Sequence, residues 1–289
     1  MTRKHYFTSS IIIGIFLLFG LFLTSCQPKV DKYLGIQLYS VRDSMKSNLQ
    51  GTIEAIGKMG YKFVEPAGYS DGLFYGKSPE EFKALVESNG MIILSSHTGH
   101  NYPDSGEWES TMQWWDKTIE SHITAGAKYI VQPSMDQLGY SSLAGLKSYC
   151  DYFNAIGEKC NAKGIKFGYH NHSKEFTELE GQVIYDYMLQ NTDSSNVFFQ
   201  LDLYWIHVGG GNALDYFKKY PGRFTHFHVK DSAELGGTGS VMDFKPLIES
   251  ADLAGAKYFF IEVEKYTTGS QIESVKQSLG FLNDADYIK

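Results

Sequence analysis

Eight short β-prone runs, each followed by a stretch with helical periodicity, occupy the chain from Leu34 to Leu282, and this alternation limits its possible folds more than any other feature. The runs cover residues 34–39, 62–66, 91–96, 128–132, 166–171, 197–203, 224–230 and 258–263. The helix-like stretches cover 49–59, 79–88, 110–125, 143–162, 182–190, 213–220, 244–254 and 271–282. Gly60, Gly90, Gly126, Gly164 and Gly255 stand where a left-handed cap ends a helix and releases the chain into the next strand. Strand–helix alternation implies parallel strands under a layer of helices, and eight repeats close a single (β/α)8 TIM barrel. A doubly wound open sheet is the alternative. It wants a Gly-rich phosphate loop after the first strand, whereas Gly35-Ile-Gln-Leu-Tyr39 runs into Ser40-Val-Arg-Asp43. Gly209-Gly-Gly211 and Gly236-Gly237 read as loop glycines.

The N-terminus has a different character. A basic start, Met1-Thr-Arg-Lys4, precedes the apolar run Ile11 to Leu23 and the small residues Thr24-Ser25, so residues 1–25 read as a secretory signal peptide. An uncleaved anchor is the alternative reading of that run. Residues 26–32 form a short tether, and 33–289 the barrel. The chain is therefore expected outside the cytoplasm, facing the periplasm or cell exterior, and attached to a membrane only through its N-terminus. Two further cysteines, Cys150 and Cys160, fall on one expected helix about 15 Å apart, beyond the disulfide reach of about 7 Å. A net charge of −7 argues against a nucleic-acid partner, which demands a surplus of Lys and Arg.

Four of the strands end in side chains able to bind a metal: Lys166-Phe-Gly-Tyr-His-Asn-His172, Val197-Phe-Phe-Gln-Leu-Asp202, Phe224-Thr-His-Phe-His-Val-Lys230 and Tyr258-Phe-Phe-Ile-Glu262. In a parallel barrel these ends meet at one mouth. Alternation places His170 with His172 on one face, and His226 with His228. Asp202 and Glu262 close apolar strands where a carboxylate gains nothing structurally, because burying it unpaired is costly. Mixed imidazole and carboxylate donors suit Mn2+, Zn2+, Co2+ or Fe2+ better than Ca2+. Gln37, Glu65 and His97 point toward the same mouth as candidate substrate contacts. The bland readings are a loop histidine for His97, an ion pair with Arg42 or Lys230 for Glu65, and satisfied polar groups at a barrel rim for the whole set.

The order strand-Tyr-His-Asn-His-x-x-Glu-Phe, Gln-Leu-Asp-Leu-Tyr-Trp, His-x-His-x-Lys-Asp and Ile-Glu resembles the sugar phosphate isomerase/epimerase branch of the xylose-isomerase-like TIM barrels, over essentially all of residues 33–289. Leu23-Thr-Ser-Cys26 likewise resembles a bacterial lipobox, with Cys26 the lipid-modified residue. The family resemblance implies one divalent metal ion (Mn2+, Co2+, Zn2+ or Mg2+), with Asp202, His228 and Glu262 matching three ligands. The fifth-strand ligand departs from the pattern: His170 occupies the place of the usual Glu, and Glu175 is favoured narrowly as the fourth ligand over His170 or His172. Trp205 replaces a His that some relatives carry and is expected to contact substrate. With Gln132, it disfavours the multi-zinc site of the related apurinic-site endonucleases.

The implied chemistry is removal of a proton from a carbon flanked by two oxygens, giving an enediolate. Glu262, with His170 or His172, then serves as acid and base. Lys230 neutralises an oxyanion, and His226 contacts substrate or orients His228. The expected function is a metal-dependent isomerase or epimerase acting on a neutral or keto sugar. The alternatives are a keto-sugar or keto-glycoside lyase or hydratase using the same site, and, from another class, a non-catalytic sugar-binding lipoprotein.

Overall fold

The computed structural model describes residues 1–2 and 32–288, so the signal segment, Cys26 and most of the tether lie outside the described residues. Asp31–Lys289 is one compact unit. Its strands, numbered here around the barrel, are β1 (Gly35–Gln37), β2 (Phe63–Glu65), β3 (Ile92–Ile93 and Ser95–His97), β4 (Tyr129–Gln132), β5 (Lys166–His170), β6 (Val197–Asp202), β7 (Phe224–Lys230) and β8 (Tyr258–Glu262). All neighbouring pairs among them are parallel.

The barrel closes through β3. β3 is split at Leu94: its first half pairs with β2 and its second half with β4. The Leu94 N–H donates to the Val64 carbonyl at 3.2 Å, while its own carbonyl accepts from Lys128 at 2.9 Å and Tyr129 at 3.2 Å. The eight strands therefore close into the expected barrel. Inside its lower end, Phe63, Leu94 and Phe260 pack as a plug with Tyr129 and Tyr258. Gly35 is required there, because a Cβ at this position would lie 2.0 Å from the Phe63 ring.

Helices cover the outside, and their limits follow local chemistry. Pro79–Glu87 starts in a full capping box, Ser78 with Glu81 and Pro79 at the first turn. Leu143–Ala162 and Gln271–Asp284 are capped by Ser142 and Ser270. The five glycines read as helix stops all take positive φ, from 76° to 106°. Some expected boundaries are corrected. The helix expected over 182–190 begins at Ile184, because Gln182–Val183 pairs with Glu178–Leu179 as a small hairpin. The expected 244–254 helix breaks at Ser250 into Phe244–Glu249 and Ala251–Ala254, where the Ser250 hydroxyl bonds back to the Pro246 carbonyl. Cys150 and Cys160 are buried free thiols, and burial pushes both up to about 12. Among the described residues, no helix is long and apolar enough to cross a membrane.

Candidate metal centre and active site

Register sets the site's layout. Gln200 lies opposite His170 on β5 and His226 on β7, Asp202 opposite His228, and Lys230 opposite Glu262 on β8. At that end, His170, Asp202, His228 and Glu262, all buried, each offer one ligand atom, and these atoms lie within 4.8 Å of one another. Asp202 also caps the helix Leu203–Val208: its Oδ1 accepts from the Tyr204 N–H at 2.9 Å and the Trp205 N–H at 2.7 Å. Its Oδ2 is buried without a partner. Asn171, the residue after β5, fixes the Asp202 backbone, accepting from its N–H at 3.0 Å and donating to its carbonyl at 3.4 Å. A buried carboxylate oxygen with no donor is costly, and a cation bound at the cluster removes that cost. The donor set of two imidazoles and two carboxylates therefore fits one divalent ion.

The charges of the cluster act strongly on one another. His228 lies between two carboxylates, with Nε2 2.7 Å from Glu65 Oε1 and Nδ1 2.8 Å from Glu262 Oε2. Burial alone lowers the pKa of this imidazole, but the two carboxylates outweigh it and raise the value to about 10. Burial opposes ionisation of Glu262, yet His228 holds its carboxyl below the usual range. Asp202 goes the other way, pushed up first by burial and then by the charge of Glu262. Glu65, fully buried, stays ionised because His97 and His228 overcome its desolvation.

The cluster opens through His170 and Glu262 into a cavity of about 380 Å³, further lined by Tyr39, Ala67, His97, Pro133, His172, Trp205 and Glu264. His172 stands beside the cluster, its ring centroid 4.9 Å from that of His170 and 5.8 Å from Trp205. The Trp205 indole N–H is buried and has no partner. Lys230 is buried outside the cavity lining, 3.6 Å from Glu264 and with its Nζ 5.4 Å from the Trp205 ring.

Several expected roles are corrected. Glu175, expected as the fourth ligand, lies outside the cluster. Its carboxylate is committed to the Tyr140 hydroxyl at 2.8 Å, the Tyr169 hydroxyl at 2.6 Å and the His172 N–H at 2.9 Å, and His170 takes its place in the cluster. Gln37 and Glu65 do not face the cavity. Gln37 accepts from the Tyr39 N–H and donates to Glu65, and both side chains are fully buried. Glu65 pairs with His97 and His228, not with Arg42 or Lys230. His226 lies one layer below, within an aromatic cage of Tyr129, Phe198, Tyr258 and Phe260, and reaches neither the cavity nor His228 by a hydrogen bond.

Gln200 and Asn171 were missed from the sequence. Gln200 is legible in principle, since it sits two residues before Asp202 and so shares its inward face. Asn171 stands within the Tyr-His-Asn-His segment, but its role is not visible there, because its partner is the Asp202 backbone on the neighbouring strand.

A family model described as the xylose isomerase-like TIM barrel matches residues 53–285. A solved sugar phosphate isomerase/epimerase from Parabacteroides distasonis ATCC 8503 is 31% identical with a TM-score of 0.83, over 89% of this chain and 100% of that one. The inosose dehydratase of Salmonella typhimurium is 28% identical over 114 residues, which is 38% of this chain and 37% of the relative. The chain thus spans well under half the length of that curated relative. The IOLI protein, solved with a bound zinc atom, is 15% identical with a TM-score of 0.68, a likeness of fold alone.

Proposed function

The chain belongs to the xylose isomerase-like TIM-barrel family, in its sugar phosphate isomerase/epimerase branch, and from that premise we propose that it is a divalent-metal-dependent isomerase or epimerase of a neutral or keto sugar. One observation carries this reading: four buried ligand atoms within 4.8 Å, with Asp202 Oδ2 unpartnered, open into the cavity that His172 lines.

His170, Asp202, His228 and Glu262 would hold the ion. When bound, it supplies Lewis-acid polarisation of a substrate carbonyl, which acidifies the neighbouring C–H. His172 takes that proton. Its ring lines the cavity, and its backbone N–H is held by Glu175, so the imidazole enters from a fixed direction. Return of the proton to the neighbouring carbon isomerises the sugar, and return from the opposite side epimerises it. Glu262, the other ionisable group of the cluster that lines the cavity, sits where it handles the second transfer. The indole N–H of Trp205 is left for a substrate oxygen. The lining holds Glu262 and Glu264 and no Arg or Lys, which favours a sugar without phosphate.

The matches to inosose dehydratases support a second reading, a lyase that uses the same proton abstraction and then expels a β-hydroxyl as water. The reading also keeps the lipid anchor at Cys26, for which the segment Leu23-Thr-Ser-Cys26 is the support.

The test is metal content beside solvent deuterium uptake. The full chain should purify with about one divalent ion, Asp202→Asn should lose it while remaining folded, and keto-sugars should take up deuterium only with the wild type. Product of unchanged mass identifies an isomerase or epimerase, and loss of one water a dehydratase. A folded wild type that binds no Mn2+, Co2+ or Zn2+ and exchanges no sugar proton would leave the non-catalytic binding protein as the answer.

A further inference from the structure

Beneath the candidate ligands lies a fully buried polar layer, Gln37, Glu65, Gln200 and His226, that the proposed reaction does not use. Its hydrogen bonds can be solved one after another, because an ionised carboxylate only accepts. Gln37 Oε1 accepts from the Tyr39 N–H, so its Nε2 is the atom that donates to Glu65 Oε1, at 2.9 Å. Gln200 must likewise turn its Nε2 toward Glu65 Oε2, also at 2.9 Å.

That choice fixes the other end of the Gln200 amide as an acceptor. Its Oε1 faces His97 Nε2 at 2.7 Å and His170 Nδ1 at 3.2 Å, and both nitrogens must therefore carry a proton. The second Gln200 N–H faces His226 Nδ1 at 3.4 Å, which puts the His226 proton on Nε2, the nitrogen that has no partner in its aromatic cage. Glu65 Oε1 meanwhile receives His228 Nε2–H at 2.7 Å. His228 Nδ1 faces Glu262 Oε2 at 2.8 Å, and it is the proton between these two candidate ligand atoms, not the one on Nε2, that a bound ion would displace.

We propose that Glu65 and Gln200 form a tautomer-setting pair, which holds His170 as its Nδ1–H form and His228 as its Nε2–H form so that each turns an unprotonated nitrogen to the ion. The inference rests on the metal reading above and deepens it. His170 would bind through Nε2 and His228 through Nδ1, two different ring nitrogens, because Gln200 Oε1 takes the Nδ1 proton of the first and Glu65 Oε1 the Nε2 proton of the second. Glu65 and Gln200 are positioning residues. They touch neither substrate nor ion, and they act by removing the wrong tautomers from competition and by raising ligand basicity.

The test uses the full chain with 15N-labelled histidine, loaded with Zn2+, and reads the ring nitrogens and their bound protons by NMR. His170 should show a zinc-bound Nε2 with a proton on Nδ1, and His228 the reverse. The opposite pattern on either ring overturns the proposal. Zn2+ affinity should also fall about 10- to 100-fold in Glu65→Gln and in Gln200→Met. Unchanged affinity in both folded variants overturns it as well, while the metal reading survives. A wild type that binds no divalent ion instead removes the metal reading on which the pair depends.

Discussion

His122 shows how a single residue couples burial to pH without taking part in the site. It is fully buried, its Nδ1–H donates to the Thr118 carbonyl at 2.7 Å, its Nε2 accepts from the Thr98 hydroxyl at 3.0 Å, and the rings of Tyr69 and Phe74 close around it. Burial lowers its pKa to about 4. Between its unfolded value near 6.5 and that figure, the unfolded chain binds a proton that the folded chain refuses. Its contribution is therefore complete above about pH 6.5 and is lost as pH falls toward 4, by about 3 kcal/mol over the window. Urea unfolding at pH 7 and pH 4.5 should show a smaller loss on acidification in His122→Asn than in the wild type. Equal losses would remove His122 from the acid response. The sequence did not single out this residue. A histidine on an amphipathic helix carries no sign of what the neighbouring hairpin Tyr69–Phe74 lays over it.

At the scale of elements, the strands were legible because their apolar and aromatic runs are bounded by glycine stops. The β3 split at Leu94 was not legible, since both halves are β-prone and only the pairing partners differ. Gly35 marks where one strand meets another's side chain. Placing a Cβ 2.0 Å from Phe63, in a plug already filled by Phe260 at 4.9 Å and Tyr258 at 5.8 Å, forces a ring or a strand to move. Gly35→Ala should cost about 1–3 kcal/mol in unfolding free energy. Phe63→Leu in the same chain should recover part of that loss, giving a coupled double-mutant cycle. Wild-type stability in Gly35→Ala would show that the lower plug is looser than its packing indicates.

For the whole molecule, the barrel and the N-terminus pose separate questions. The lipobox-like segment ends at Cys26, ahead of the barrel. If Cys26 carries the lipid, Cys26→Ser should shift the chain from the membrane fraction to the soluble or uncleaved form in its host and abolish incorporation of labelled palmitate. Continued labelling of the variant would rule Cys26 out as the attachment point. Within the barrel, residue types and their order determined the eightfold alternation, the parallel strands, and the meeting of Asp202, His228 and Glu262 at one mouth, because period and strand direction are local properties of the chain. Only the tertiary structure placed His170 in the cluster and Glu175, five residues on, outside it. Tyr140, 35 residues before Glu175, joins Tyr169 in drawing that carboxylate away, while Gln200 and Glu65 arrive from other strands to turn His170 inward. A side chain's partner across a barrel is set by closure, and closure is written in no single segment.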